Sequence, residues 1–386
     1  MKEITEIINA FDKAQSEGRQ TALVTLVHVD GSSYRRPGAR MLVTDTGELT
    51  GAISGGCLEG DALNKALQSM HQQKNMLVTY DTTDEDDAVL GLGLGCNGVI
   101  QVLIQPVDNR QQNGPVQLIK KIVAGRGNNV LVTLFTLGNR KAEQAGTVII
   151  RDDEGIKYLR EVEPSIKKML EHDINESFSN KKSSFRNYKM AGNELTAYIE
   201  FIPPPVSLVI VGAGNDAEPV VAMASILGWQ VTLIDDGRDK NTKVGRFTGS
   251  CQLMVAKPGE VLKNIVLDDN TVFLLMTHNF NYDKAMLSEL LPKKVRYIGV
   301  LGPAKKMDRM LRELETEGNE YSEQQLEAVH SPVGLDIGAE SPEEIALSMI
   351  AEIKAILAGR TGSPLRNNGD VIHPRNETAI ETRNSL

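Results

Sequence analysis

The chain has little cysteine, three residues in 386. So small and odd a number excludes the disulfide framework that staples many secreted domains, and it points to a reducing, cytoplasmic setting. No Cys-x-x-Cys and no closely spaced histidine pair is present, so zinc is not expected. Long hydrophobic runs are missing too. No apolar stretch approaches the roughly 20 residues that a membrane helix needs. Met1-Lys2-Glu3 leads into an amphipathic pattern with no apolar leader behind it, so neither secretion nor a membrane is expected. Nor is there an excess of positive charge. A net charge of −9 argues against a broad phosphate-binding surface, and so against nucleic acid as a partner.

What is present is ordinary for a globular protein: 41% hydrophobic and 24% charged residues, in a chain long enough for two or three domains. Ile4, Ile7, Ile8 and Phe11 recur at helical spacing, and Thr21 to Val29 reads as a strand. A hairpin through Thr46-Gly47, a helix from Leu58 to Met70, and strands at Met76–Tyr80 and Val99–Gln105 complete a first α/β region over 1–107. Residues 108–203 then echo it weakly. Thr21–Leu26 is similar to Asn129–Leu134, Leu42–Asp45 to Ile149–Asp152, and Val102–Pro106 to Ile199–Pro203. Duplication of one unit and chance likeness of apolar strands both account for this. Pro203-Pro204-Pro205 is a stiff connector. From 204 to 360 strand and helix patterns alternate, which predicts a Rossmann-like parallel sheet. Residues 361–386 are polar and unpatterned and read as a flexible tail.

Two sets of residues carry candidate chemistry. In the second half, Ser207–Val211 runs into Gly212-Ala213-Gly214-Asn215-Asp216-Ala217, a helical pattern follows, and a second strand ends at Asp235. This is G-x-G-x-x-A in the context a dinucleotide fingerprint requires. Gly212 and Gly214 let backbone N–H groups approach a diphosphate, and Asp235 suits a ribose hydroxyl. Tight strand–helix packing is the competing account of the glycines. His278 and Asp283 follow another strand and should face the same crevice, as a base or ligand or simply as a helix-capping cluster. In the first region, three glycine-rich loops sit at strand ends. The first holds Ser32, Arg35, Arg36 and Arg40, the second Gly55, Gly56, Cys57 and Glu59, and the third Cys96. The arginines suit phosphate. Cys57 opens a helix, a position that favours thiolate. Together they suggest an anionic ligand with a metal or sulfur-bearing centre; ordinary turns and an inert cysteine are the plainer account.

These segments resemble the XdhC/CoxI family of xanthine dehydrogenase accessory factors. The resemblance rests on GSSYRRPGARM (31–41), SGGCLEG (54–60), GLGCNG (93–98), Gly212-Ala213-Gly214, Asp235-Asp236, Thr277-His278, YIGVLG (297–302) and SPVGLDIGAESPEEIA (331–346). It implies an XdhC-type N-terminal α/β region followed by a Rossmann-like domain. It also implies a binding protein rather than an enzyme, one that holds molybdenum cofactor as cargo and helps sulfurate and insert it into a xanthine dehydrogenase-type molybdenum hydroxylase. The implied partners are that hydroxylase, a cysteine desulfurase and a second copy in a homo-oligomer such as a dimer. Departures cluster in the Rossmann half: Asn215 stands where the family commonly has histidine, Gly237 intervenes before Arg238, and Asn279 and Pro303 replace the usual residues. They put the ligand contacts of that crevice in doubt. The competing function is an NAD(P)-dependent oxidoreductase that uses Gly212, Gly214, Asp235 and His278.

Overall fold

A computed structural model describes residues 2–81, 98–107, 114–139, 142–190, 193–235, 237, 247, 251–367 and 379–384. The chain divides into two units, one built from residues 3–204 with the C-terminal segment and one from residues 205–369.

The first unit holds two sheets. Helix α1 (Lys2–Ser16) precedes β1 (Thr21–Gly31), β2 (Arg40–Thr44), β3 (Leu49–Gly51), α2 (Glu59–Gln72), β4 (Met76–Asp81) and β5 (Gly98–Val107). The strands pair in the order β3-β2-β1-β5-β4. Then come α3 (Pro115–Ala124), β6 (Asn129–Phe135), β7 (Gly146–Asp152), β8 (Gly155–Tyr158), α4 (Pro164–Asn180), β9 (Ser184–Met190) and β10 (Asn193–Ile202). Their order is β8-β7-β6-β10-β9, the same arrangement strand for strand.

Core positions repeat as well. Ala62, Ala66 and Met70 form the helical stripe that seats α2 on the first sheet, and Ile166, Leu170 and Ile174 seat α4 on the second. The opposite faces of the two sheets meet each other. Val27, Leu77 and Leu103 pack against Phe135, Phe185 and Tyr198. Leu77 pairs with Leu103 in one ladder as Phe185 pairs with Tyr198 in the other. Because both faces are covered, β1 is buried along nearly its whole length and shows no polar alternation. The ladders also correct the register of the sequence echo. Leu42 lies opposite Leu23 as Ile150, not Ile149, lies opposite Leu131. The register of β6 and β7 shifts between Val132 and Thr133, and that irregularity displaces the count by one.

The second unit is a parallel sheet. Its elements are β11 (Ser207–Val211), α5 (Ala217–Ile226), β12 (Gln230–Asp235), β13 (Cys251–Val255), the short α6 (Pro258–Val261), β14 (Thr271–Leu275), α7 (Phe280–Leu290), β15 (Ile298–Val300), α8 (Ala304–Thr316), α9 (Glu323–Leu326), β16 (Val329–His330) and α10 (Pro342–Leu357). The order β13-β12-β11-β14-β15-β16 reverses between β11 and β14, which opens a crevice at the carboxyl ends of those two strands. Helices α5 and α10 cover one face through Val220, Val221, Met349 and Ile353; α7 and α8 cover the other through Met286, Leu290 and Met310. Ser341 and Glu344 form the capping box that starts α10.

One short segment of the C-terminal region, among the described residues, is a strand. Ile380–Asn384 forms β17, parallel to the edge strand β9. Its alternation is too short to register as a strand in sequence; β9 supplies the missing hydrogen-bonding partner.

Candidate functional site

In the first unit, the loop after β1 and the turn before α2 come together. Tyr34 is 73% exposed, and its ring lies over Gly55, where a Cβ would stand 3.6 Å from it. Gly56 has φ +113 with open space beside it, a conformation that calls for glycine. Beneath this turn, Glu59 accepts hydrogen bonds from the N–H groups of Ile53 (3.1 Å), Ser54 (2.8 Å) and Leu58 (3.2 Å), and from the Ser54 hydroxyl. Burial pushes the Glu59 carboxyl up, but the bonds from Ser54 and Ile53 outweigh it and hold the group below its ordinary value. The Ser54 oxygen in turn accepts from Gly56 and Leu58, both at 3.1 Å, and the half-buried Cys57 Sγ lies 3.4 Å from it. Glu59 therefore builds the turn from within; the Gly55–Gly56 backbone is exposed, and the half-buried Cys57 packs against the core of the first sheet.

The arginines divide. Arg36 is exposed on the same loop. Arg35 is held by Glu3 through contacts of 2.5 and 2.6 Å. Arg40 points inward: it is buried, pairs with both oxygens of Glu200 on β10, and donates to the Gly38 carbonyl at 2.8 Å. Its guanidinium ties the two sheets together, which removes it from the set suited to a phosphate. Ser32 is exposed, and its backbone abuts Gly98, where a Cβ would stand 2.5 Å from the Ser32 oxygen. Cys96 lies outside the described residues.

In the second unit, Gly212 has φ +125, and a Cβ there would collide with the Met276 carbonyl. Only glycine lets β11 and β14 approach so closely at the crevice floor. Gly214 faces His278, whose Cδ2 would be 4.0 Å from a Cβ at that position. His278 occupies the left-handed region at φ +54, and its Nε2 lies 3.0 Å from Asp216 at the start of α5. Asp235 is buried at the end of β12 and accepts from the Gly237 N–H at 2.9 Å. His278 thus reaches the crevice, whereas Asp283 lies beneath it. Asn279, not Asp283, caps α7. Asp283 is fully buried, takes the Thr277 hydroxyl at 2.6 Å, and pairs with Lys306 at 2.7 Å.

Sequence reasoning missed Ser54, Asp216 and Lys306 as contributors. Asp216 carried a readable signal, an acidic residue inside a fingerprint that should greet phosphate. Lys306 carried none, since its role depends on a partner two elements away. His172, Asp173 and Glu176 also gather closely on α4, but Asp173 is already engaged by Tyr188 at 2.8 Å and Arg383 at 3.1 Å, so the cluster anchors strands rather than a metal. A cavity of about 420 Å³ lies beside this anchor, lined by Glu176, Lys182, Arg186 and Glu381, away from the glycine-rich turns.

Two family models match the chain, the XdhC and CoxI family over residues 14–81 and the XdhC Rossmann domain over 208–353. The chain belongs to the XdhC/CoxI family. A Bacillus subtilis relative, described as a probable subunit of xanthine dehydrogenase, is 27% identical over 89% of this chain and 95% of its own length. The Escherichia coli molybdenum cofactor insertion chaperone PaoD is 22% identical over 89% of this chain and 86% of its own. A solved structure from Bacillus halodurans, described as a xanthine dehydrogenase, superimposes with a TM-score of 0.69 at 28% identity, covering 92% of this chain and 97% of that one. No helix among the described residues is long and apolar enough to cross a membrane.

Proposed function

We propose that this XdhC/CoxI protein is an accessory factor that binds molybdenum cofactor as cargo and assists its sulfuration and insertion into a xanthine dehydrogenase-type hydroxylase. Among the relatives, PaoD is described as a molybdenum cofactor insertion chaperone, and that supports the reading. The observation that carries it is the meeting of Tyr34, the Gly55–Gly56 turn and Cys57 on one loop cluster, with Arg36 exposed alongside. An aromatic face suits a planar pterin ring, a thiol suits a soft metal or sulfur centre, and a guanidinium suits the phosphate. Arg40 fits less well, since it is buried against Glu200. A cysteine desulfurase as sulfur donor and a second copy of the chain as partner belong to the same proposal.

The test is co-purification from a host that makes molybdopterin, scored by oxidised-pterin fluorescence and molybdenum per chain. Bound pterin that falls in Cys57→Ser and Arg36→Ala supports the reading. A pterin-free chain, or equal retention in both variants, removes this cluster from the site.

The crevice supports a nucleotide as a second ligand. Gly212 brings the backbone close at the switch point, and Asp235 lies where a ribose hydroxyl is held in such sheets. An NAD(P)-dependent oxidoreductase would add His278 as acid–base, and NADH oxidation coupled to any acceptor would be its signature.

A further inference from the structure

The two halves of the first unit each present a tyrosine on an edge strand to an aspartate on the covering helix. Tyr188 of β9 donates to Asp173 of α4 at 2.8 Å, and Tyr80 of β4 donates to Asp61 of α2 at 2.9 Å. The ladders make the two tyrosines equivalent, since Leu77 and Phe185 occupy matching core positions and each tyrosine follows three residues later, while Asp61 and Asp173 sit on different turns of their helices.

One of these edges is filled. β17 lies parallel to β9 with Ile380 opposite Phe185 and Arg383 opposite Tyr188. Ile380 packs on the inter-sheet core, and Arg383 reaches Asp173 at 3.1 Å. Among the described residues the other edge carries no added strand: β4 ends its sheet there, Asp61 is exposed and meets no cation, and the Thr79 hydroxyl is buried without a hydrogen-bond partner. The row of backbone groups along such an edge is a template for an added strand.

We propose that the β4 edge is a docking site for an extended segment of a partner protein. The segment adds parallel to β4, sets an apolar side chain opposite Leu77, and places an arginine opposite Tyr80 to pair with Asp61. The required pattern is an apolar residue followed three positions later by arginine, the pattern Ile380 and Arg383 show on the equivalent edge. Asp61 supplies the charge selectivity, and the backbone ladder supplies sequence-tolerant affinity. This reading is independent of the cofactor: loss of pterin binding leaves it standing.

The probe is a labelled synthetic peptide of this chain's own residues 379–386, titrated into the full-length protein, whose own β9 edge is already occupied. Saturable binding that slows amide exchange across Met76–Asp81 is expected. It should weaken at least tenfold with Asp61→Asn, and equally when the peptide's arginine is replaced by alanine. Protection confined to Ser184–Met190, absence of binding, or affinity indifferent to Asp61→Asn would overturn the proposal. Far-UV circular dichroism of Asp61→Asn matching wild type shows that the loss is local, since Asp61 is exposed.

Discussion

Arg40 and Glu200 lie 160 residues apart and form a buried ion pair that joins the two sheets of the first unit. The Arg40 side chain is only 3% exposed, and burial, which by itself disfavours its charge, is outweighed by Glu200, which holds the guanidinium above its ordinary value. A loop arginine that sequence reading offers to a phosphate is thus spent on architecture. Arg40→Met strands the Glu200 carboxylate and should cost about 3–5 kcal/mol of stability. The double variant Arg40→Met with Glu200→Met should recover most of that loss. Urea unfolding of the three proteins decides it, and a double variant no more stable than the single would count against a compensated pair.

Glu59 sets a second expectation. Its folded-state value lies below the ordinary 4.5, so its contribution is complete above that pH and drains away as pH falls through the lower, folded value. Glu59→Gln should destabilise at neutral pH by about 1–3 kcal/mol, because a charged acceptor of several N–H groups becomes a neutral one. The gap between wild type and variant should then narrow as pH drops below about 4.5. A gap that stays constant from neutral pH to pH 3 would show that the carboxylate charge is not what holds the turn.

Asp216 sits where the amino end of α5 would otherwise meet a diphosphate, and its carboxylate is turned to His278 at 3.0 Å. A fixed negative charge there competes with phosphate, at a cost on the order of 1 kcal/mol for such a helix terminus. Asp216→Asn should therefore tighten NADH binding roughly fivefold, read by nucleotide fluorescence. Unchanged affinity would mean that the phosphates lie elsewhere, and no binding by either protein would remove the nucleotide from the crevice.

How much of this was legible in sequence follows from range. The Rossmann order was readable because each of its signals is local: Ser207–Val211, the Gly212 turn and the Ser341–Glu344 capping box announce themselves within a few residues. The shared strand order of the two sheets gives the weak echo a physical basis, and we infer that one unit was duplicated. Its register was not readable: the irregularity after Val132 displaces Ile149 by one, and Val102 lies opposite Leu26 as Ala197, not Ile199, lies opposite Leu134, which only the ladders show. Site residues divided the same way. Gly56 and Gly212 sit at positive φ, a requirement visible as glycine in sequence. The fates of Arg35 and Arg40 turned on Glu3 and Glu200, which only folding brings near.

Lys306 makes the sharpest case of a long-range contribution. Its ammonium donates to the fully buried Asp283 at 2.7 Å and to the Leu301 carbonyl at 2.8 Å, while the other Asp283 oxygen takes the Thr277 hydroxyl and N–H. Asp283 thus braces the turn that carries His278 into the crevice. Lys306→Met keeps the aliphatic stem but leaves a buried carboxylate without its cation, a change that should cost about 3–5 kcal/mol. Lys306→Met with Asp283→Asn should regain part of it, since an amide can still accept from Thr277. Thermal unfolding of the single and double variants tests this directly, and a single variant as stable as wild type would show that Thr277 alone satisfies the buried carboxylate.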